Sequence, residues 1–324
     1  MKRFLLLVLI LTMSGILFAQ DWQVIKVGDE VDDPNEGFFI DANTGWYVGA
    51  EGVVMKTTDG AATYTVVREP VDGTASWKDV QFVNANVGYV AAYDGFIFKT
   101  TDGGLTWANV GDTANYTTDY TDIAVVDENV VYAAGKEEAV MKTIDGGATW
   151  TVSTFAFGED LDGGLAFCDA NIGVVAQDGN GGQTWYTDDG GVTWTESLVI
   201  FPVGLASSRI YDVAAGGTST IVVTGYHYVK FVSQDGGKTY SQVGDYVYGY
   251  ERGISVDVLD ANTFVNLTGQ ALGVGLRNVV AGASALVLPT GSAMAISLGN
   301  ENVQSWQPVD TGTQSSWIEV DTAA

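Results

Sequence analysis

The feature that most constrains this chain is a short turn that recurs five times. Its copies are Thr58-Asp59-Gly60-Ala61-Ala62-Thr63-Tyr64, Thr101-Asp102-Gly103-Gly104-Leu105-Thr106-Trp107, Ile144-Asp145-Gly146-Gly147-Ala148-Thr149-Trp150, Asp188-Asp189-Gly190-Gly191-Val192-Thr193-Trp194 and Gln234-Asp235-Gly236-Gly237-Lys238-Thr239-Tyr240. The aspartates lie 43 to 46 residues apart. Glycine supplies the positive φ that a tight turn needs. Aspartate accepts backbone N–H bonds across such a turn, and threonine does so more weakly. Trp107, Trp150 and Trp194 each offer a large flat ring to bury between neighbouring units. An aspartate that returns five times in one local setting reads as a fold-stabilising group, because catalysis needs no such repetition.

The rest of each unit repeats as well. An apolar stretch ends in an Asn/Asp-rich turn at Phe38-Phe39-Ile40-Asp41-Ala42-Asn43, at Val80-Gln81-Phe82-Val83-Asn84-Ala85-Asn86, at Leu165 to Asn171 and at Val258 to Asn262. A second apolar run follows, such as Gly88-Tyr89-Val90-Ala91-Ala92, and a third carries a lysine before the signature, as in Phe96-Ile97-Phe98-Lys99. A fourth begins at the signature aromatic. Each unit therefore reads as four strands, a to d, joined by short turns. No stretch has a helical period, and 41 glycines against 5 prolines fit a chain of many tight turns. A period in the low forties is the length of one four-stranded blade, so the fold class is all-β and the architecture a β-propeller.

The signature resembles the Asp-box, or BNR repeat, of sialidases, sortilin-type receptors and related propellers. The period, the Lys-Thr-Thr-Asp-Gly-Gly-x-Thr-Trp run and the Asp-Val-x-Phe-x-Asn-Ala-Asn-x-Gly-Tyr-Val strand pair more closely resemble the photosystem II assembly and stability factor-like family, over roughly residues 37 to 290. That resemblance implies a scaffold for assembling or stabilising a membrane complex. The chain departs from the family in lacking a lipidation cysteine and in being very poor in arginine.

Blade count follows from the ends. A sixth unit is worn: Val256 to Asn262 and Phe264 to Gly269 fit strands a and b, and Leu276 to Gly282 fits strand c. Met294 to Leu298, Val303 to Val309 and Ser316 to Val320 then supply three runs of a seventh unit, one strand short. Asp21 to Val27 resembles a fourth strand. The expectation is seven blades closed by the N-terminal strand, which leaves no exposed sheet edge. The alternative is six blades with a C-terminal extension.

Residues 1–19 read as a signal peptide, with Lys2 and Arg3 before an apolar run from Phe4 to Phe18 and Ala19 before the cut. Residues 20–324 are expected to form one propeller domain, secreted or periplasmic. The formal net charge is −26, and removing the leader takes away two cations and no acid. That balance excludes nucleic acid, which needs clustered Lys and Arg, and favours basic partners or cations. No membrane insertion is expected after cleavage. Cys168, the only cysteine, sits in an apolar run and reads as a small core residue. A nucleophilic pair would need the only histidine, His227.

Aligning the units sets Glu36, Asp79, Asp122 and Asp212 at one position just before strand a, with Gly164 and Ser255 there in the fourth and sixth units. Arg209 and Arg252 align near Ser76 and Asp119, and Trp77, Tyr120 and Tyr250 lie in the same loops. One reading is a ring of carboxylates with two arginines at the channel mouth, able to hold a cation or a basic peptide. The other is that each carboxylate caps its own turn through backbone N–H groups. Asp178-Gly179-Asn180-Gly181-Gly182 begins like a calcium loop, but Gln183 replaces the glycine such a loop requires, so a Gly-rich turn is the expectation. No cofactor or metal is expected.

The enzyme reading fares worse than the binding reading. A sialidase needs an arginine triad, a tyrosine nucleophile and a carboxylate base and acid. After the leader only Arg68, Arg209, Arg252 and Arg277 are available, and the Phe-Arg-Ile-Pro motif is absent. Xyloglucan-degrading enzymes with this repeat pair two propellers, and this length permits one. The expected function is a non-catalytic protein-interaction or assembly scaffold with a protein partner, basic or a membrane-complex subunit. The alternatives are a sialidase-like glycan hydrolase and a glycan-binding lectin.

Overall fold

The computed structural model describes residues 34–41, 43–60, 63–71, 73–137, 139–154, 160–179, 181–197, 209–226, 229–242, 253–260, 263–268, 296–298 and 319–322, the last four as backbone strands. The first sheet is β1 (Pro34–Phe39), β2 (Gly45–Gly49), β3 (Val54–Thr57) and β4 (Thr65–Arg68). The second is β5 (Trp77–Phe82), β6 (Gly88–Ala92), β7 (Ile97–Thr100) and β8 (Ala108–Asn109). The third is β9 (Tyr120–Val125), β10 (Val131–Gly135), β11 (Ala139–Thr143) and β12 (Thr151–Thr154). The fourth is β13 (Leu165–Phe167), β14 (Gly173–Ala176), β15 (Thr184–Thr187) and β16 (Thr195–Glu196). The fifth is β17 (Ile210–Gly216), β18 (Thr220–Gly225), β19 (Lys230–Ser233) and β20 (Ser241–Gln242). Each is an antiparallel meander in sequence order, the a to d blade expected from the repeat. The chain is an all-β propeller.

Burial explains the strand sequences. Strand b is covered on both faces by the neighbouring blades, so β6 and β10 are buried along their whole length and read as continuous apolar runs. Strand d is the outer edge, and β8, β16 and β20 are two exposed residues each, short edges that resist pairing with other chains.

The core is a set of layers between blades. Trp46, Val48 and Val54 of the first blade pack on Trp77, Val80 and Phe82 of the second. Tyr89, Ala91 and Ile97 of the second meet Ile123, Val131 and Met141 of the third. Equivalent layers join the third blade to the fourth and the fourth to the fifth. Signature rings of Trp107, Trp150 and Trp194 pack against the edges of these layers.

The innermost strands β1, β5, β9, β13 and β17 follow one another around the axis. A sixth sheet holds β21 (Gly253–Asp260), β22 (Thr263–Thr268) and β23 (Ile296–Leu298). Its third strand is one the repeat had placed in the following unit; residues 276–282, expected there, lie outside the described residues. The strand β24 (Glu319–Thr322) runs parallel to β1, with Glu36 opposite Glu319, and also lies against β21. The wall is thus bridged at β1 by this C-terminal strand. The N-terminal strand expected to close the ring, residues 21–27, lies outside the described residues.

Candidate functional site

The two faces of the propeller are built differently. One carries the a–b turns and the signature turns. In all five signature turns the aspartate is chelated by its own loop. In the third, Asp145 Oδ1 accepts from Thr149 N (2.8 Å) and from the Thr143 hydroxyl (2.8 Å), and Oδ2 accepts from the Thr149 hydroxyl (2.6 Å). Asp59, Asp102, Asp189 and Asp235 repeat the pattern. The threonine or serine closing strand c completes the loop, a partner that inspection of the turn alone did not single out. The Thr149 hydroxyl and N–H hold the Asp145 carboxyl down to about 2, and the Thr193 hydroxyl and N–H do the same for Asp189. Gly103 and Gly104 have φ of +74° and +92°. A side chain at Gly103 would strike Ala85 O at 2.8 Å, so the turn needs glycine for space as well as for φ. The x position faces water, with Leu105 61% and Val192 77% exposed, which is why the motif leaves it open. The carboxylate of this motif is spent on the fold in every copy.

Glu36, Asp79, Asp122 and Asp212 lie inside strand a, not before it. In each case one extra residue is bulged out of the a–b ladder just ahead of the carboxylate: Asn35, Lys78, Thr121 and Tyr211. A β-bulge re-aims the side chains next to it. Glu36, Asp79 and Asp212 are buried and Asp122 is half-buried. Asp79 Oδ2 accepts from Ile123 N of the third blade at 2.6 Å, and Asp122 Oδ2 accepts from Leu165 N of the fourth at 3.1 Å. Gln81 Oε1 accepts from Val125 N. Glu36 and Asp212 instead accept from the N–H of the next residue. The inner strands expose unpaired amides to one another, and these side chains satisfy them. Half of the set thus ties blade to blade, and half caps its own strand.

Burial raises the Asp79 carboxyl to about 7, against the pull of the Ile123 and Val80 N–H groups. The like charge of Asp212 adds to the rise, and Asp122 works against it. In the fourth blade Gly164 takes this position with φ of +108°, and a Cβ there would lie 2.7 Å from Val213 N. The backbone of the fifth blade fills the space a carboxylate would need. Among the described residues no three His, Cys, Asp or Glu side chains are grouped to hold a metal ion.

The other candidates separate. Trp77 and Tyr120, expected in the loops leading to strand a, are the opening residues of β5 and β9 and are 0% and 1% exposed. Large rings at these places fill the seams between blades; Trp77 stacks on Phe98 (4.9 Å) and meets Trp107 edge-on (5.1 Å). Arg209 does stand on the face opposite the signature turns, 3.7 Å from Asp178. Arg252 and Tyr250 lie outside the described residues. Residues 178–182 connect β14 to β15, with Gly182 N bonded to Gly179 O as in a turn. Cys168 packs beside the layer between the fourth and fifth blades, and burial raises its thiol to about 11. Arg68 bonds Gly52 O and Glu51 O and lies over Trp77, so it is committed to the seam between the first two blades.

The opposite face is made of the b–c turns and the loops leading to strand a. Glu51, Asp94 and Glu137 occupy one position in the b–c turns of the first three blades, with φ of 54°, 61° and 65°. Lys78 and Lys136 lie over the Tyr93 ring at 4.4 and 5.3 Å, and Lys136 pairs with Asp119 at 2.7 Å.

A sequence profile for the family described as Photosynthesis system II assembly factor YCF48 matches residues 16–116 and 65–151. No curated protein matches the chain. YCF48 from Cyanidioschyzon merolae has a similar structure at 14% identity and a TM-score of 0.64, over 91% of this chain and 90% of that one. The GH74 xyloglucanase from Xanthomonas campestris is similar at 12% identity and a TM-score of 0.59, over 86% of this chain but 47% of the enzyme. A structure described as YCF48 bound to D1 peptide is 16% identical, with a TM-score of 0.49, over 76% of this chain and 94% of that one. The likeness to the first two structures establishes the fold alone, and the profile match adds the repeat type. The chain is thus an Asp-box propeller resembling the photosystem II assembly-factor family.

Proposed function

We propose that the chain is a non-catalytic interaction scaffold, secreted or periplasmic, that takes a basic segment of a protein partner on the face opposite the Asp-boxes. The observation that carries this reading is the placing of Glu51, Asp94 and Glu137. All three hold a left-handed backbone in equivalent turns. Asparagine or glycine meets that geometry at least strain, and glutamate is a poor choice for it. Glu51 and Glu137 are strained there, and strained residues that persist at equivalent places favour a role for their side chains. Three carboxylates presented around one face of a strongly acidic chain suit a cationic segment. The match to an assembly-factor family supports a protein partner.

A glycoside hydrolase needs two carboxyls roughly 5 to 10 Å apart with substrate between them. Asp79 and Asp122 each hold a backbone N–H of the next blade instead, and Asp79 is buried. Arg68 and Arg209 are committed to different blades. The test is binding of a panel of basic and acidic peptides and of glycans to the purified chain at low and physiological salt. Salt-sensitive binding of basic peptides that is lost in Glu51→Lys/Glu137→Lys supports the reading. Preference for acidic peptides, or turnover of any glycan, overturns it.

A further inference from the structure

Blade meets blade along the inner wall in two ways. From the second blade to the fourth the contact is made by side chains. Asp79 Oδ2 on β5 accepts from Ile123 N of β9 at 2.6 Å, and Gln81 Oε1 accepts from Val125 N at 2.9 Å. Asp122 Oδ2 on β9 accepts from Leu165 N, the start of β13, at 3.1 Å. Among the described residues no strand is laddered to the axial edge of β5, β9, β13 or β17, and each of their sheets has four strands.

The first sheet differs. It has five strands, in the order β24-β1-β2-β3-β4. β24 runs parallel to β1 over four positions, with Glu319, Val320, Asp321 and Thr322 opposite Glu36, Gly37, Phe38 and Phe39. It lies against β21 of the sixth sheet as well. Backbone pairing thus closes the wall at the first blade, where side chains do so elsewhere.

The hold on β24 is unlike that on the rest of its sheet. β1 to β4 follow one another in sequence and make three antiparallel pairs that do not involve it. β24 reaches them from far along the chain. Its pairing is short and parallel, and parallel pairs hold slightly less per residue than antiparallel ones. Main-chain bonds carry such an added strand, so the edge of β1 makes few demands on side chains. A second copy of the chain offers the same strand with the same contacts, and that identity makes exchange between copies a low-cost route to a dimer. We infer that β24 is an exchangeable closing strand: the axial edge of β1 receives β24 of its own chain in the monomer and β24 of a second copy in a dimer. Each copy then donates one strand and receives one, so the exchange closes as a two-fold pair and leaves neither β1 edge open.

The first test uses the wild-type chain. An ordinary preparation and one labelled with heavy nitrogen are concentrated together and weighed by native mass spectrometry. Exchange predicts dimers of mixed mass, and a chain that stays monomeric at every concentration overturns the proposal. Cysteines in a Cys168→Ser background then locate the strand responsible. Glu36 is 3% exposed, so a thiol in its place meets only a strand seated on β1. In Glu36→Cys/Glu319→Cys a disulfide should form within one chain, as the register requires. When the single variants Glu36→Cys and Glu319→Cys are mixed, the disulfide should join the two chains, and an excess of wild-type chain should suppress it. Phe39→Cys with Thr322→Cys repeats the trial at a second pair of the same ladder. An intrachain bond with no interchain bond overturns the proposal. So does the absence of the intrachain bond at both pairs in folded chains.

Discussion

Trp46 of the first blade lies flat on Phe82 of the second, with ring centroids 3.6 Å apart and planes within 7°. The same indole donates Nε1–H to Gly103 O in the second blade's Asp-box at 2.9 Å. One side chain thus joins the hydrophobic layer between blades to the turn that marks each repeat. Tyr132 and Phe167 repeat the stack between the third and fourth blades at 3.7 Å, with Tyr132 Oη on Gly190 O. Phe82→Ala should destabilise the chain by about 3–5 kcal/mol, from lost burial and the cavity left behind. A double-mutant cycle with Trp46→Leu should show a coupling of about 1 kcal/mol in denaturant melts. Additive effects would mean that the stack is only shared burial.

The Asp-boxes predict acid sensitivity. Asp145 and Asp189 are held at about 2, below the ordinary carboxylate value. A depressed carboxyl stabilises the fold above its unfolded pKa, and that contribution is lost as pH falls through the folded value. The melting temperature should therefore drop between about pH 4 and pH 2. Asp145→Ala should lower it at pH 7 and make little difference at pH 2.

Asp79 acts in the opposite sense. Its carboxyl is raised, so the folded state binds the extra proton, and stability falls as pH rises from about 4 to about 7. With the Asp-boxes this gives a stability maximum where the two windows meet, a little above pH ~4. Asp79→Asn should flatten the high-pH side of the profile while leaving the acid side in place.

Gly164 should tolerate nothing larger. Its φ of +108° and the 2.7 Å approach of Val213 N to a Cβ predict that Gly164→Ala costs about 1–3 kcal/mol in a thermal or urea melt.

Glu51 should show a trade between stability and function. Glu51→Gly releases the left-handed strain at φ 54° and should stabilise the chain by about 1 kcal/mol. It should also weaken binding of a basic peptide, measured by titration at low salt. A variant more stable and equally good at binding would free this turn from any functional role.

Much of the architecture was legible because the Asp-box sets blade length and fixes the turn between strands c and d, and glycine and aspartate leave an unambiguous local signature. The a to d order of five blades follows from it. The candidate site was less legible. Asp79 and Asp122 were found as aligned carboxylates, but the bulges at Lys78 and Thr121 that turn them inward leave no composition signal. The sequence therefore put them in a loop, and their bonds to the next blade depend on how blades pack. Trp77 and Tyr120 misled for a related reason: an aromatic near a loop reads as a surface binder until the seam that covers it is known. Glu51 and Glu137 escaped notice because only φ distinguishes them from ordinary surface acids.

The measurement that bears most directly on the scaffold reading is affinity capture from the native envelope fraction with the wild-type chain and with Glu51→Lys/Glu137→Lys, followed by mass spectrometry of what is retained. The account predicts a protein partner with a basic segment, held by the wild type and released by the charge-reversed pair while both melt alike. Equal recovery on both baits, or recovery of glycans in place of protein, would contradict it.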